Sequence, residues 1–189
     1  MLVKDIIKKA CKLINLSDVL EYLNDETGTI TQSDEVSEKL DKLLLSVNLT
    51  NNTLSSQYFE ISDCAVCDNS NGVVSFGNIT SKNIVEIKKV TDVENKDIEY
   101  KVLSDGVHSA YKSLKIYYTY IPSDVIISDN INYYLKLSEI TFAYGVVSEY
   151  LFLIGDLDEA SIWDEKFKNI LFAISRPRRN IVMPSKGWY

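Results

Sequence analysis

From Ile140 to Ile154 the chain runs for fifteen residues with a single charge, Glu149. Read together with Tyr133, Tyr134, Leu135 and Leu137 just before it, the segment places Phe142, Tyr144, Val146, Val147 and Leu151 nearly all the way round a helical wheel. A helix apolar on almost every side has to be covered on almost every side. It is also shorter than the roughly 20 apolar residues of a membrane span. The segment is therefore expected to be a core helix, beginning at Asp129 or Asn130 and ending at about Ile154, with cover from its own fold and from neighbouring subunits. Gly155 supplies the stop and Asp156 or Asp158 the next cap. The following helix carries Trp163, Phe167, Ile170, Leu171 and Ile174 on one stripe, and Pro177 forbids its continuation. The two are predicted to form a tight αα-hairpin.

The N-terminal part also has a helical period. Val3, Ile6, Ile7, Ala10 and Ile14 share one stripe opposite Lys4, Lys8 and Lys12. Ser17 or Asp18 is expected to cap a short second helix through Val19, Leu20 and Leu23 that stops near Gly28. Ser33 is expected to cap a third with Val36, Leu40, Leu43, Leu44 and Val47 on one face, supported by Glu35–Lys39 and Glu38–Lys42 pairs. Asn48 to Ser56 reads as a polar turn. The period then changes to two over Tyr58–Val66, Val73–Phe76, Ile84–Val90, Ile98–Leu103 and Leu114–Tyr120, with turn signals at Asn71-Gly72, Asn95-Lys96-Asp97 and Asp105-Gly106.

The expected fold class is α+β: a helical body with a long C-terminal αα-hairpin, an inserted small antiparallel β region and an extended C-terminal tail. In domain terms, 1–175 is one unit (helices in 1–56, β-rich 57–122, helix pair 129–175) and 176–189 is the tail.

Charge is segregated along this chain. The net charge is -7, yet all three arginines, Arg176, Arg178 and Arg179, lie in the last 14 residues with Lys186 and no acid, so the tail carries +4 and the rest 16 Lys against 27 acids, or -11. An acidic body argues against a nucleic-acid binder that works through its whole surface. Met1-Leu2-Val3-Lys4-Asp5 lacks the apolar core of a signal peptide, so a soluble protein without a membrane anchor, made in a cytoplasm, is expected.

Motifs for chemistry are sparse. Cys64-Ala-Val-Cys67 has half the ligands of a zinc site, but the chain offers only Cys11 and His108 besides. On a strand the two thiols point to opposite faces. His108, the single histidine, falls in an expected surface loop. Asp156, Asp158 and Glu159 are the acids a helix start favours. The seven glycines form no phosphate-binding loop. No catalytic residue, metal site or cofactor is expected.

The tail, RPRRNIVMPSKGWY, has neither helical nor strand period. Trp, Tyr, Arg and Met are enriched at interface cores, and Ile181, Val182, Met183, Trp188 and Tyr189 are costly to leave in water together. Arg176, Arg178, Arg179, Ile181, Met183, Lys186, Trp188 and Tyr189 are therefore the candidate partner-binding residues.

This order of parts resembles the head-to-tail adaptor proteins of short-tailed bacteriophages. The parts are short helices around the Leu-rich Val36–Val47 segment, a β-rich middle, the Tyr120-Ile121-Pro122 exit, an apolar helix pair and an Arg-rich tail with terminal aromatics. The best local matches are Trp163-Asp-Glu-Lys-Phe167 with Leu171, then Arg178-Arg179 and Trp188. The resemblance spans essentially the whole chain. It implies a non-enzymatic virion subunit, assembled in the bacterial host cytoplasm, that forms a homo-oligomeric ring of twelve at the head–tail junction. Its tail would dock into the portal protein, its β region would face a tail nozzle or other tail proteins, and double-stranded DNA would pass through the channel without sequence-specific binding. Two rivals are distinguishable. A nucleic-acid-binding phage accessory protein using the basic tail would lose DNA affinity steeply with salt. A carboxylate hydrolase would hold an acid of strongly raised pKa in a cleft.

Overall fold

The computed structural model describes residues 1–25, 33–132 and 137–175. Helices and small antiparallel sheets alternate in blocks, an α+β arrangement with two separate apolar cores.

Helix α1 (Val3–Leu13) buries Val3, Ile6, Ile7, Ala10 and Cys11, the stripe set by its period. Helix α2 (Ser17–Asn24) buries Val19 and Leu23. Ser17 and Asp18 do not cap it as expected. Leu16 holds the cap position without a side-chain bond, because Asp18 is drawn to Lys39 of the next helix at 2.7 Å. The expected stop near Gly28 lies outside the described residues. Helix α3 (Asp34–Thr53) starts as the sequence indicates, with the Val36 amide donating to the Ser33 hydroxyl. Both expected Glu–Lys pairs close at 2.7 Å.

The helix then runs beyond Val47 and passes into one π-helical turn, Leu54–Tyr58. The expected polar turn from Asn48 is wrong because its side chains find partners without breaking the helix. Ser46 and Thr50 donate back to carbonyls four residues earlier. The Asn48 amide group donates to the Val125 carbonyl and accepts from its N–H.

One sheet has the order β1 (Ser62–Asp68), β6 (Ser113–Ile121), β3 (Asn83–Thr91), all antiparallel. Central β6 turns Leu114, Ile116 and Tyr118 inward, as its alternation requires. A second small sheet has the order β2 (Val73–Val74), β5 (Gly106–His108), β4 (Lys101–Leu103). The segments Tyr58–Val66 and Ile98–Leu103 therefore contribute shorter or shifted strands than expected, and Val73–Phe76 divides into β2 and the short helix α4 (Phe76–Ile79).

His108 is not in a loop. Asp105-Gly106 turns the chain so tightly that Leu103 faces Gly106 in the β4–β5 ladder, and residues 106–108 become the middle strand. Gly106 is required there: a Cβ would lie 2.2 Å from the Val74 carbonyl oxygen.

The β core gathers Cys67, Val74, Ile79, Val90, Val107, Leu114, Ile116 and Tyr118. The helical core gathers the buried faces of α1, α2 and α3 around α5 (Glu139–Ile154) and α6 (Leu157–Ser175). Helix α5 packs against α1, α3 and α6. Fully buried Phe142 alone contributes on the order of 2–3 kcal/mol from area removed from water. Gly145 lets the three long helices approach: a Cβ there would lie 2.7 Å from Thr50 Cγ2 and 2.8 Å from Phe167 Cζ.

Helix α5 begins at Glu139, capped by Ser138, and not at Asp129 or Asn130. The backbone at 129–131 is already engaged with the chain start. Val3 N–H donates to Asp129 O, Leu2 bridges Asn130, and Met1 and Ile131 exchange two bonds of 2.9 Å. Backbone groups paired in this extended way are not available to a helix. At the other end Gly155, at φ 88°, closes α5 in the left-handed conformation that glycine adopts without steric cost.

Candidate docking surfaces

The residues singled out for partner binding, Arg176, Arg178, Arg179, Ile181, Met183, Lys186, Trp188 and Tyr189, lie outside the described residues. The described residues end at Ser175, the last residue of α6.

The α5–α6 pair is firmly packed on its inner side. Phe167, Leu171 and Ala160 are buried, and the Ser148 hydroxyl donates to the Ala160 carbonyl across the pair. Tyr144 and Trp163 approach with ring centroids 5.4 Å apart. The Lys166 ammonium caps both rings, at 4.1 and 4.8 Å from their centroids. Glu159 accepts from the Trp163 indole, and Lys168 pairs with Asp164 at 2.6 Å.

Glu149 sits in this half-buried seam. Burial is the larger force raising its carboxyl pKa, and the neighbouring charge of Asp164 adds to it, against the opposite pull of Lys168.

The outer side of the pair differs. Phe152, Leu153 and Ile154 end α5 and Leu157 begins α6, each 40–60% exposed, and Ile162 and Phe172 are more than half exposed on α6. The sequence correctly marked α5 as over-apolar, but the position of the uncovered part at the hairpin tip depends on how far α1 and α3 reach along it. Asp156, Asp158 and Glu159 flank this tip. Asp156 accepts the Glu159 amide, as the capping reading required.

The remaining candidates fall apart spatially. Cys64 is exposed and Cys67 buried, on opposite faces of β1. Cys11 is buried in the helical core, where loss of solvation and the nearby Asp18 charge push its thiol up to about 12. His108 pairs with Asp105 at 2.8 Å. Among the described residues no group of three His, Cys, Asp or Glu side chains could hold a metal ion. Also among the described residues, no helix is long and apolar enough to cross a membrane.

Open depressions mark the surface formed by the described residues, among them the following three. The first, about 600 Å³, lies between β3 and β4 over Phe76, Lys82, Ile84, Ile87 and Val102. Lys82 bonds Asp63 and stands 4.0 Å from the Tyr120 ring centroid. The second, about 730 Å³, is lined by Tyr100, His108 and Tyr111. The third, about 470 Å³, is almost wholly apolar, formed by Leu2, Leu44, Ile126 and Ile127 with Lys4 and Ser128. None of them is legible in the sequence, because each joins residues far apart in the chain.

No protein-family model matches this chain, and no curated protein matches it.

Proposed function

We propose that this chain is a structural virion protein, a head-to-tail adaptor that assembles as a dodecameric ring below the portal and continues the DNA channel towards the tail. The observation that carries this reading is the separation of charge: -11 in residues 1–175 and +4 in the 14 residues that follow, together with two aromatics at the end. An acidic ring wall repels passing DNA and keeps it from sticking. A cationic, aromatic segment at the end of a rigid helix pair fits the role of an anchor whose binding energy comes from another subunit.

On this reading the αα-hairpin forms the ring body and residues 176–189 extend into the portal, through Arg176, Arg178, Arg179, Trp188 and Tyr189. The β region faces a tail nozzle or another tail protein. The chain acts mechanically and catalyses nothing.

The test is deletion of 176–189. Among the described residues the helical core is assembled from α1, α2, α3, α5 and α6, so the truncated chain is expected to keep the far-ultraviolet spectrum and cooperative melting of the full chain. It is expected to lose portal binding in a pull-down or by electron microscopy of the mixture. Undiminished assembly of the truncated chain on portals would refute the docking role.

A further inference from the structure

The α5–α6 tip and the apolar pocket beside α1 match in polarity and are opposite in charge. Phe152, Leu153, Ile154 and Leu157 leave roughly 400 Å² in water, the size of the largest apolar patch of a typical monomer, which is often functional. The pocket is lined by Leu2, Leu44, Ile126 and Ile127, with Leu2 and Ile126 about half exposed, and has room for more than one aliphatic side chain. Asp156, Asp158 and Glu159 surround the tip. Lys4 stands at the pocket and Lys8 one turn further along α1, neither with an ion-pair partner among the described residues.

We propose that a second copy of this chain seats its α5–α6 tip in this pocket, apolar residues inward and the acidic tip against Lys4 and Lys8. The two surfaces differ, so the contact is heterologous: each subunit gives a tip to one neighbour and a pocket to the other. Such contacts close into rings when the rotation permits. The proposal rests on the ring reading above and names its interface. With roughly 400 Å² offered by the tip to a shallow pocket, the contact falls in the small, transient class. Free subunits therefore associate weakly, and a template such as the portal is needed to gather them.

Two full-length chains test it, both carrying Cys64→Ser, which leaves only the buried Cys11 and Cys67 as native thiols. One also carries Leu157→Cys and the other Ile126→Cys. They are mixed at high concentration, oxidised, and their disulfides mapped by mass spectrometry. The expected product joins residue 157 of one chain to residue 126 of the other, about tenfold above either like-with-like product, a preference equivalent to about 1.4 kcal/mol. Adding Lys4→Glu to the second chain is expected to lower its yield. A mixture no richer in the 157–126 product than random collision gives overturns the proposal. Rings on portals alongside a random mixture would keep the adaptor reading and remove this contact. The directed disulfide in a chain that never builds rings would support the contact and remove the adaptor reading.

Discussion

Replacing Gly145 by Ala sets two effects of opposite sign against each other. In an isolated helix the change is favourable by about 1 kcal/mol, because alanine gives up less backbone freedom. In this protein the added methyl would stand 2.7 Å from Thr50 Cγ2 and 2.8–2.9 Å from two atoms of the Phe167 ring. Both neighbours are at most 5% exposed, so neither can swing into solvent. Thr50 is held by its bond to the Ser46 carbonyl, and Phe167 is a rigid ring on the inner face of α6. Relief requires α3 or α6 to move outward, and overpacking of this kind costs typically about 1–3 kcal/mol, and at distances this short the upper half of that range applies. The clash therefore wins, and a net destabilisation of about 1–2 kcal/mol is expected.

Urea unfolding of the full chain, followed by circular dichroism, reads it as a lower midpoint at unchanged slope. Gly77→Ala is the control. Gly77 is also helical but has nothing within 4 Å of an added Cβ, and that variant is expected to be neutral or slightly more stable. If Gly145→Ala were as stable as its parent, the close three-helix approach at this glycine would be wrong.

Ionised Glu149 is disfavoured by burial and by Asp164, so its folded pKa lies above its unfolded value and its contribution to stability falls as pH rises through that folded pKa. Glu149→Gln is expected to be at least as stable as the parent at pH 7, with the advantage vanishing in acid; thermal melts across pH check it, and a loss of stability confined to neutral pH would contradict it. The thiols are expected to differ in the native state. Cys64 should react rapidly with a disulfide reagent at pH 8, while Cys11, with its thiol held at about 12, and buried Cys67 should react only after denaturation. Fast modification of all three native thiols would show that the two cores open readily.

Much of the fold was legible because short-range periodicity records which face of an element must leave water. Ile6, Ile7 and Ala10 on α1, Leu114, Ile116 and Tyr118 on β6, and Phe167 with Leu171 on α6 all bury as their spacing indicates. Ser33 and Gly155 mark a helix start and a helix end through local backbone chemistry alone. Charge segregation is likewise a property of the sequence, and it supports the functional proposal without reference to any fold.

The fold departs from the local pattern where a distant partner outweighs a local preference. Asn48 stayed helical because Val125 satisfies it from 77 residues away. Residues 129–131 stayed extended because Met1 to Val3 pair with them. His108 became part of a central strand because β2 and β4 stand on either side. Only the tertiary structure decided which part of the over-apolar α5 remains uncovered and that an apolar pocket forms beside Lys4. Both are differences between what a side chain would bury and what the other elements can cover, and that cover comes from residues no local window contains.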